Sequence, residues 1–112
     1  MALPHPIPAD LAQLVARRFR LLAEPMRIRL LDRLRDGEAT VGELASALET
    51  SQQNVSKHLA VLAEAGILGR RKEGNHVYYV IVDESVFALC EQICGALERQ
   101  LRALNELVEG VR

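Results

Sequence analysis

Three clusters of side chains in this chain have types and spacings that can do chemistry. The first is Ser51-Gln52-Gln53-Asn54, with Ser56-Lys57-His58 directly behind it. Gln and Asn carry paired donors and acceptors that match adenine, Ser fits several bases, and Lys suits guanine or phosphate. The second is the run Arg70-Arg71-Lys72. Such a run fits phosphate oxygens, adding affinity and salt dependence but little sequence preference. The third is the pair Cys90 and Cys94. A spacing of four puts both sulfurs on one helix face, one turn apart. There they suit a soft metal or metalloid, or oxidation between chains, since a bridge within one helix would strain it.

Each cluster also has a plainer reading. Gln52 and Gln53 fit a solvated surface, and a basic hairpin is often only a solvated face. His58 fits either a phosphate contact or a surface histidine covering its helix. His76 and the Tyr78-Tyr79 pair suit packing of a hairpin better than base reading. Cys90 and Cys94 also fit as small buried hydrophobes.

The elements that must position these groups follow from periodicity and punctuation. Residues 1–8 hold three of the four prolines and form an extended, flexible arm. A first helix is predicted over Ala9–Ala23, with Leu11, Leu14, Val15, Phe19, Leu21 and Leu22 at roughly helical spacing. Pro25 suits the first turn of a second helix, which runs to about Arg35 with Ile28, Leu30, Leu31 and Leu34 inward. Gly37 is its stop signal. Thr40 with Glu43 three residues on makes a capping box for a third helix, whose Leu44, Ala45 and Leu48 point inward. After the polar break Glu49-Thr50-Ser51, Ser51 caps a fourth helix that ends at Gly66. Its buried face is Val55, Leu59, Leu62 and Ala63, which leaves Gln52, Gln53, Ser56 and Lys57 open to a partner.

From Gly69 the period changes. Val77, Tyr79 and Ile81 alternate with Tyr78, Val80 and Val82, and Glu73-Gly74-Asn75 supplies the turn of a hairpin. Asp83 caps a last helix that reaches about Glu109. Along it Phe87, Cys90, Cys94, Leu97, Leu101, Leu104 and Val108 step by three and four, a heptad seam. On a chain this small, an identical helix from a second copy is the simplest cover for that seam. The expectation is a mainly α fold, four helices, a hairpin and a fifth helix.

Composition narrows the class. The chain has 112 residues, 49% hydrophobic and 26% charged, which fits one domain over 9–112. Without Trp and with little Phe, its core must be mainly Leu, Val, Ile and Ala. The net charge of −1 argues at first against a nucleic-acid partner, but it is unevenly spread. Residues 83–112 hold three Lys/Arg against six Asp/Glu, whereas residues 1–39 hold seven against five. The acidic excess therefore lies away from the polar helix and the basic hairpin. Two cysteines are too few for a disulfide framework. The first residues are not a signal peptide and no apolar run is long enough to span a membrane, so a cytoplasmic protein is expected. With no glycine-rich phosphate loop and no nucleophile beside an evident base, nothing points to an enzyme.

Four pieces then line up in order. They are Leu22-Ala23-Glu24-Pro25-Met26-Arg27-Ile28-Arg29-Leu30-Leu31, Val41-Gly42-Glu43-Leu44-Ala45, Gln53-Asn54-Val55-Ser56-Lys57-His58-Leu59 and Glu73-Gly74-Asn75-His76-Val77-Tyr78-Tyr79. Their wording and spacing, over roughly residues 12–95, resemble the arsenic-repressor (ArsR/SmtB) family of bacterial winged helix-turn-helix repressors. The resemblance implies a homodimer built on the first and last helices, with Leu11 and Leu14 joining the seam residues at its interface, which binds a palindromic operator in double-stranded DNA and represses transcription. It also implies release by a metal, metalloid or redox signal. Two metal sites common in the family are absent here. Leu44-Ala45-Ser46-Ala47-Leu48 stands where a Cys-x-Cys pair would lie, and the last helix carries no His, only Glu91 and Glu98 as polar candidates. His5, His58 and His76 are too scattered to supply the roughly four ligands of a zinc site. No cofactor is therefore expected, unless Cys90 and Cys94 take a soft metal or act as redox thiols. A winged-helix module that docks on protein, and a repressor with no sensor, remain the competing readings.

Overall fold

The computed structural model describes residues 2–111, so Met1 of the arm and the terminal Arg112 lie outside it. The chain forms two compact units that divide between Val82 and Asp83. The first unit holds α1 (Ala9–Leu22), α2 (Pro25–Leu34), α3 (Val41–Ala47), α4 (Gln52–Glu64), β1 (Leu68–Glu73) and β2 (His76–Ile81). The second holds α5 (Ser85–Val111). The expected element order and boundaries hold to within a few residues.

Local chemistry sets the ends of the helices. Glu24 accepts a hydrogen bond from the Met26 N–H at 3.1 Å, and Pro25 opens α2 where no N–H partner is needed. The Thr40 hydroxyl accepts from the Glu43 N–H at 3.2 Å, while the Glu43 carboxylate accepts from the Thr40 N–H at 3.1 Å. That reciprocal pair fixes where α3 starts. α3 then stops in a Schellman turn, with Thr50 N–H donating to Ala45 O at 3.0 Å and Glu49 N–H to Ser46 O at 3.3 Å. The turn needs a left-handed residue and uses Glu49, at φ 53°, where glycine would be unstrained. α4 stops the same way, with Gly66 at φ 79° and Ile67 N–H donating to Leu62 O at 3.0 Å.

The core of the first unit is Leu22, Leu30, Leu31, Leu34, Ala39, Leu44, Ala45, Val55, Leu59, Leu62, Ile67 and Leu68. It is aliphatic, as the composition requires. Burying each of the larger side chains stabilises by about 1.5–3 kcal/mol relative to exposure. Ile28, expected inward, is 42% exposed and belongs to the surface. Three residues before Leu31, it falls just outside the buried stripe of α2 that Leu30, Leu31 and Leu34 form.

β1 and β2 pair antiparallel, with Arg70 opposite Tyr79 and Arg71 opposite Tyr78. Gly74, at φ 61°, supplies the tight turn between them. Sequence reading missed a third piece of this sheet. Ala39 pairs with Tyr79: the Ala39 N–H donates to Tyr79 O at 3.2 Å, and Ala39 O accepts from the Tyr79 N–H at 2.8 Å. β2 is thus flanked by β1 on one edge and by the segment before α3 on the other. The hairpin is tied to the helical core through backbone hydrogen bonds, which a free two-stranded ribbon would lack.

In the second unit, Asp83 accepts from the Ser85 N–H at 3.0 Å and so caps the start of α5. The helix leaves Ile93, Leu97, Leu101, Leu104, Leu107 and Val108 exposed, several of them at the heptad positions. Cys90 is half-buried and Cys94 exposed, both as free thiols. No helix is long and apolar enough to cross a membrane among the described residues.

Candidate nucleic-acid interface

α4 has two faces with different chemistry. Val55, His58, Leu59 and Leu62 are buried. Gln52, Gln53, Ser56, Lys57 and Ala60 are exposed. Among the described residues, none of the four polar side chains Gln52, Gln53, Ser56 and Lys57 spends its hydrogen-bonding groups within the protein. Ser51, Gln53, Asn54 and Lys57 line one shallow, open depression. The helix that carries them is fixed at both ends, by the Ser51 cap and the Gly66 stop, and along its back by the core.

Two of the expected contact residues have structural work as well. The Ser51 hydroxyl accepts from the Asn54 N–H at 3.0 Å and caps the helix. The Asn54 side-chain N–H donates to Thr50 Oγ1 at 3.1 Å and is half-buried.

His58 requires a correction. It was expected on the surface, within reach of phosphate, but its side chain is only 5% exposed. Arg27 Nε donates to His58 Nδ1 at 3.1 Å, and Arg27 Nη1 donates to Leu21 O at 3.2 Å. His58 thus joins α4 to α2 and to the end of α1. Because Nδ1 accepts from a cation, the neutral imidazole is the form this contact holds. Its pKa is lowered by burial first, then by the charges of Lys57 and Arg27, while Glu24 opposes them. A signal for this burial lay in the sequence. Val55, His58, Leu59 and Leu62 follow the i, i+3, i+4, i+7 spacing of a buried stripe, with histidine filling one position.

In the hairpin the three basic residues are not equivalent. Arg70 lies over the Tyr79 ring, 5.6 Å from its centroid, and Arg71 lies over the Tyr78 ring at 4.7 Å. Alternation along β1 puts Arg70 and Lys72 on one face and Arg71 on the other. Arg71 also makes ion pairs with Glu38 and, at 3.1 Å, with Glu73. Its guanidinium pKa is raised by the hydrogen bonds to those two carboxylates. Glu38 is held below the usual carboxylate range, first by the hydrogen bond from Arg71.

Among the described residues no group of three or more His, Cys, Asp or Glu side chains is placed to hold a metal ion. The Cys90 and Cys94 thiols lie on α5, in the second unit.

A capped helix-turn-helix followed by a three-piece wing defines a winged helix-turn-helix DNA-binding protein. A helix-turn-helix domain family matches residues 22–71. The transcriptional repressor SmtB homolog of Synechocystis sp. is 34% identical over 95 residues, covering 85% of this chain and 72% of that protein. The HTH-type transcriptional regulator Rv0081 of Mycobacterium tuberculosis is 36% identical over 105 residues, covering 91% and 90%. Its crystal structure superposes with a TM-score of 0.75 at 34% identity, covering 85% of this chain and 96% of that one. The homodimeric winged helix-turn-helix DNA-binding domain Mb0332 of Mycobacterium bovis, a solution structure, gives a TM-score of 0.70 at 32% identity, covering 83% and 86%. The chain belongs to the ArsR/SmtB family of winged helix-turn-helix transcriptional regulators. It is a DNA-binding regulator and not an enzyme.

Proposed function

We propose that the chain is a cytoplasmic homodimeric repressor that reads a palindromic operator with α4. The observation that carries this is the exposed front of α4, where Gln52, Gln53, Ser56 and Lys57 stand together with no hydrogen bond among the described residues. In the major groove, the Gln side chains suit adenine edges, Ser56 adapts to its neighbour, and Lys57 suits guanine or phosphate. Ser51 and Asn54 hold the helix end and present what remains of their hydrogen-bonding capacity. Arg70 and Lys72 follow the backbone from the wing and supply sequence-independent affinity.

Pairing of two copies is supported by apolar surface that needs covering. On α5 it is Leu97, Leu101, Leu104 and Val108, each more than half exposed, continued by Phe87, Cys90 and Cys94 along the seam. On α1 it is Leu14, at 57% exposed, with the half-buried Leu11. The Mycobacterium bovis relative is itself homodimeric. Two recognition helices related by a two-fold axis would meet half-sites about 34–36 Å apart. A mobility-shift and footprinting titration on the DNA upstream of the chain's own gene tests this. The expected result is two protected half-sites about one helical turn apart. A protein-docking module would leave that DNA unshifted.

The signal is read at Cys90 and Cys94. The pair is one helical turn apart on α5, and both thiols are free. Two copies bring four thiols to the seam, a ligand set for a soft metal or metalloid. The alternative chemistry is oxidation. Two thiols from different subunits lose two protons and two electrons to a peroxide or disulfide oxidant, forming one bridge. The paired variant Cys90→Ser/Cys94→Ser should then hold the operator when arsenite, cadmium or peroxide releases the wild type. Equal release of both proteins would remove the thiols from the mechanism and leave a repressor without this sensor.

A further inference from the structure

Arg71 sits in a different setting from its neighbours in the basic run. Pairing of Ala39 with Tyr79 places Glu38 on the same face of the wing as Tyr78 and Arg71. Arg71 reaches across that face from β1. Nε donates to one Glu38 oxygen at 3.0 Å and Nη2 donates to the other, a two-pronged pair. Nη1 donates to Glu73 at 3.1 Å, and the guanidinium lies over Tyr78. All three elements of the wing are spanned by this one side chain. β1 supplies the arginine, β2 the ring beneath it, and the segment leading into α3 the carboxylate. Two carboxylates against one guanidinium leave the cluster with a formal charge of −1, a poor seat for a phosphate.

We propose that Arg71 is a positioning residue, tied to Glu38, that fixes the wing against the segment leading into α3 and so sets where Arg70 and Lys72 meet the DNA backbone. This rests on the DNA-binding reading above. A phosphate contact and a tie give opposite signs for the same substitution. If Arg71 bound phosphate, Glu38→Gln would release it toward DNA and tighten binding. As a tie, Glu38→Gln loosens the wing and weakens binding to operator and unrelated duplex alike, by about three- to five-fold, near the upper end for an exposed pair.

The test is a set of anisotropy titrations on the full chain with operator and with unrelated duplex, at several salt concentrations. Arg71→Ala should weaken binding by the same factor as Glu38→Gln, with the salt slope unchanged. The double variant should be no weaker than either single one, since both remove one interaction. The exchanged pair Glu38→Arg/Arg71→Glu, which keeps the net charge, should recover most of the loss. Tighter binding by Glu38→Gln, or a salt slope lower by about one in Arg71→Ala, overturns the proposal. Hydrogen exchange in the DNA-free protein gives a readout independent of function. The Ala39 and Tyr79 amides, which bond each other's carbonyls, should exchange faster in Glu38→Gln, and unchanged exchange also overturns it. Wild type that shifts no operator while these amides respond would reject the DNA-binding reading and keep the tie.

Discussion

The front of α4 and the face of the wing are both polar surfaces, yet they are held in opposite ways. On α4, Gln52, Gln53, Ser56 and Lys57 make no hydrogen bonds among the described residues, and the helix is positioned from behind by Val55, Leu59 and Leu62 and at its ends by caps. The wing has almost no core of its own. β1 runs from the buried Leu68 into four exposed residues, Arg70 to Glu73. It is positioned instead by surface interactions: the Ala39–Tyr79 bridge, the arginines over tyrosine rings, and the Arg71 ion pairs. An element held by its core can devote its exposed side chains to a ligand. One held by its surface must keep some of them for itself.

That contrast can be broken at three points of decreasing effect. The largest change is expected from Gln53→Ala/Ser56→Ala/Lys57→Ala. Each good base contact is worth about 1–3 kcal/mol, so operator affinity should fall by at least about a hundred-fold with the circular dichroism spectrum unchanged.

Next comes His58, which stabilises α4 from behind. His58→Ala removes a buried ring and leaves Arg27 Nε without its acceptor. We expect a loss of about 2 kcal/mol in denaturant unfolding. The same group predicts a pH dependence. Its folded pKa is depressed, so the unfolded chain binds the proton first. Its contribution to stability is intact above the ordinary histidine value of about 6.5 and is lost as pH falls from there through the depressed folded value. Wild type should lose stability over that window, and a His58→Phe variant should lose less. Equal pH profiles would show that His58 is not the titrating group.

The smallest effect is on the wing. Arg70→Ala should weaken binding to all sequences alike by a few-fold and lower the salt slope by about one. A loss confined to one sequence would make Arg70 a base reader.

The pattern of what was legible in the sequence follows the same divide. Thr40 with Glu43, Ser51 with Asn54, and Gly66 act over three or four residues, so the ends of α3 and α4 could be read directly. The exposed polar front of α4 followed from its apolar back. What could not be read is non-local. Arg27 meets His58 across 31 positions, and Arg71 meets Glu38 across 33. Periodicity carries no record of such pairs: it can mark His58 as lying on the buried stripe of α4, but it cannot name Arg27 as its partner or pair Arg71 with Glu38. The bridge that makes Ala39 part of the wing involves one residue pair, too short to register as a strand. Ile28 shares the apolar character of Leu30, Leu31 and Leu34, and only the packed structure shows that the buried stripe of α2 ends short of it.

The central claim is that α4 reads bases while the wing follows the backbone. Its most direct test is the ratio of operator affinity to unrelated-duplex affinity, measured at one salt concentration for three proteins. The account predicts that Gln53→Ala/Ser56→Ala/Lys57→Ala collapses the ratio toward one, while Arg70→Ala lowers both affinities and leaves the ratio at the wild-type value. An unchanged ratio in the α4 variant, or a collapsed one in the wing variant, would contradict it.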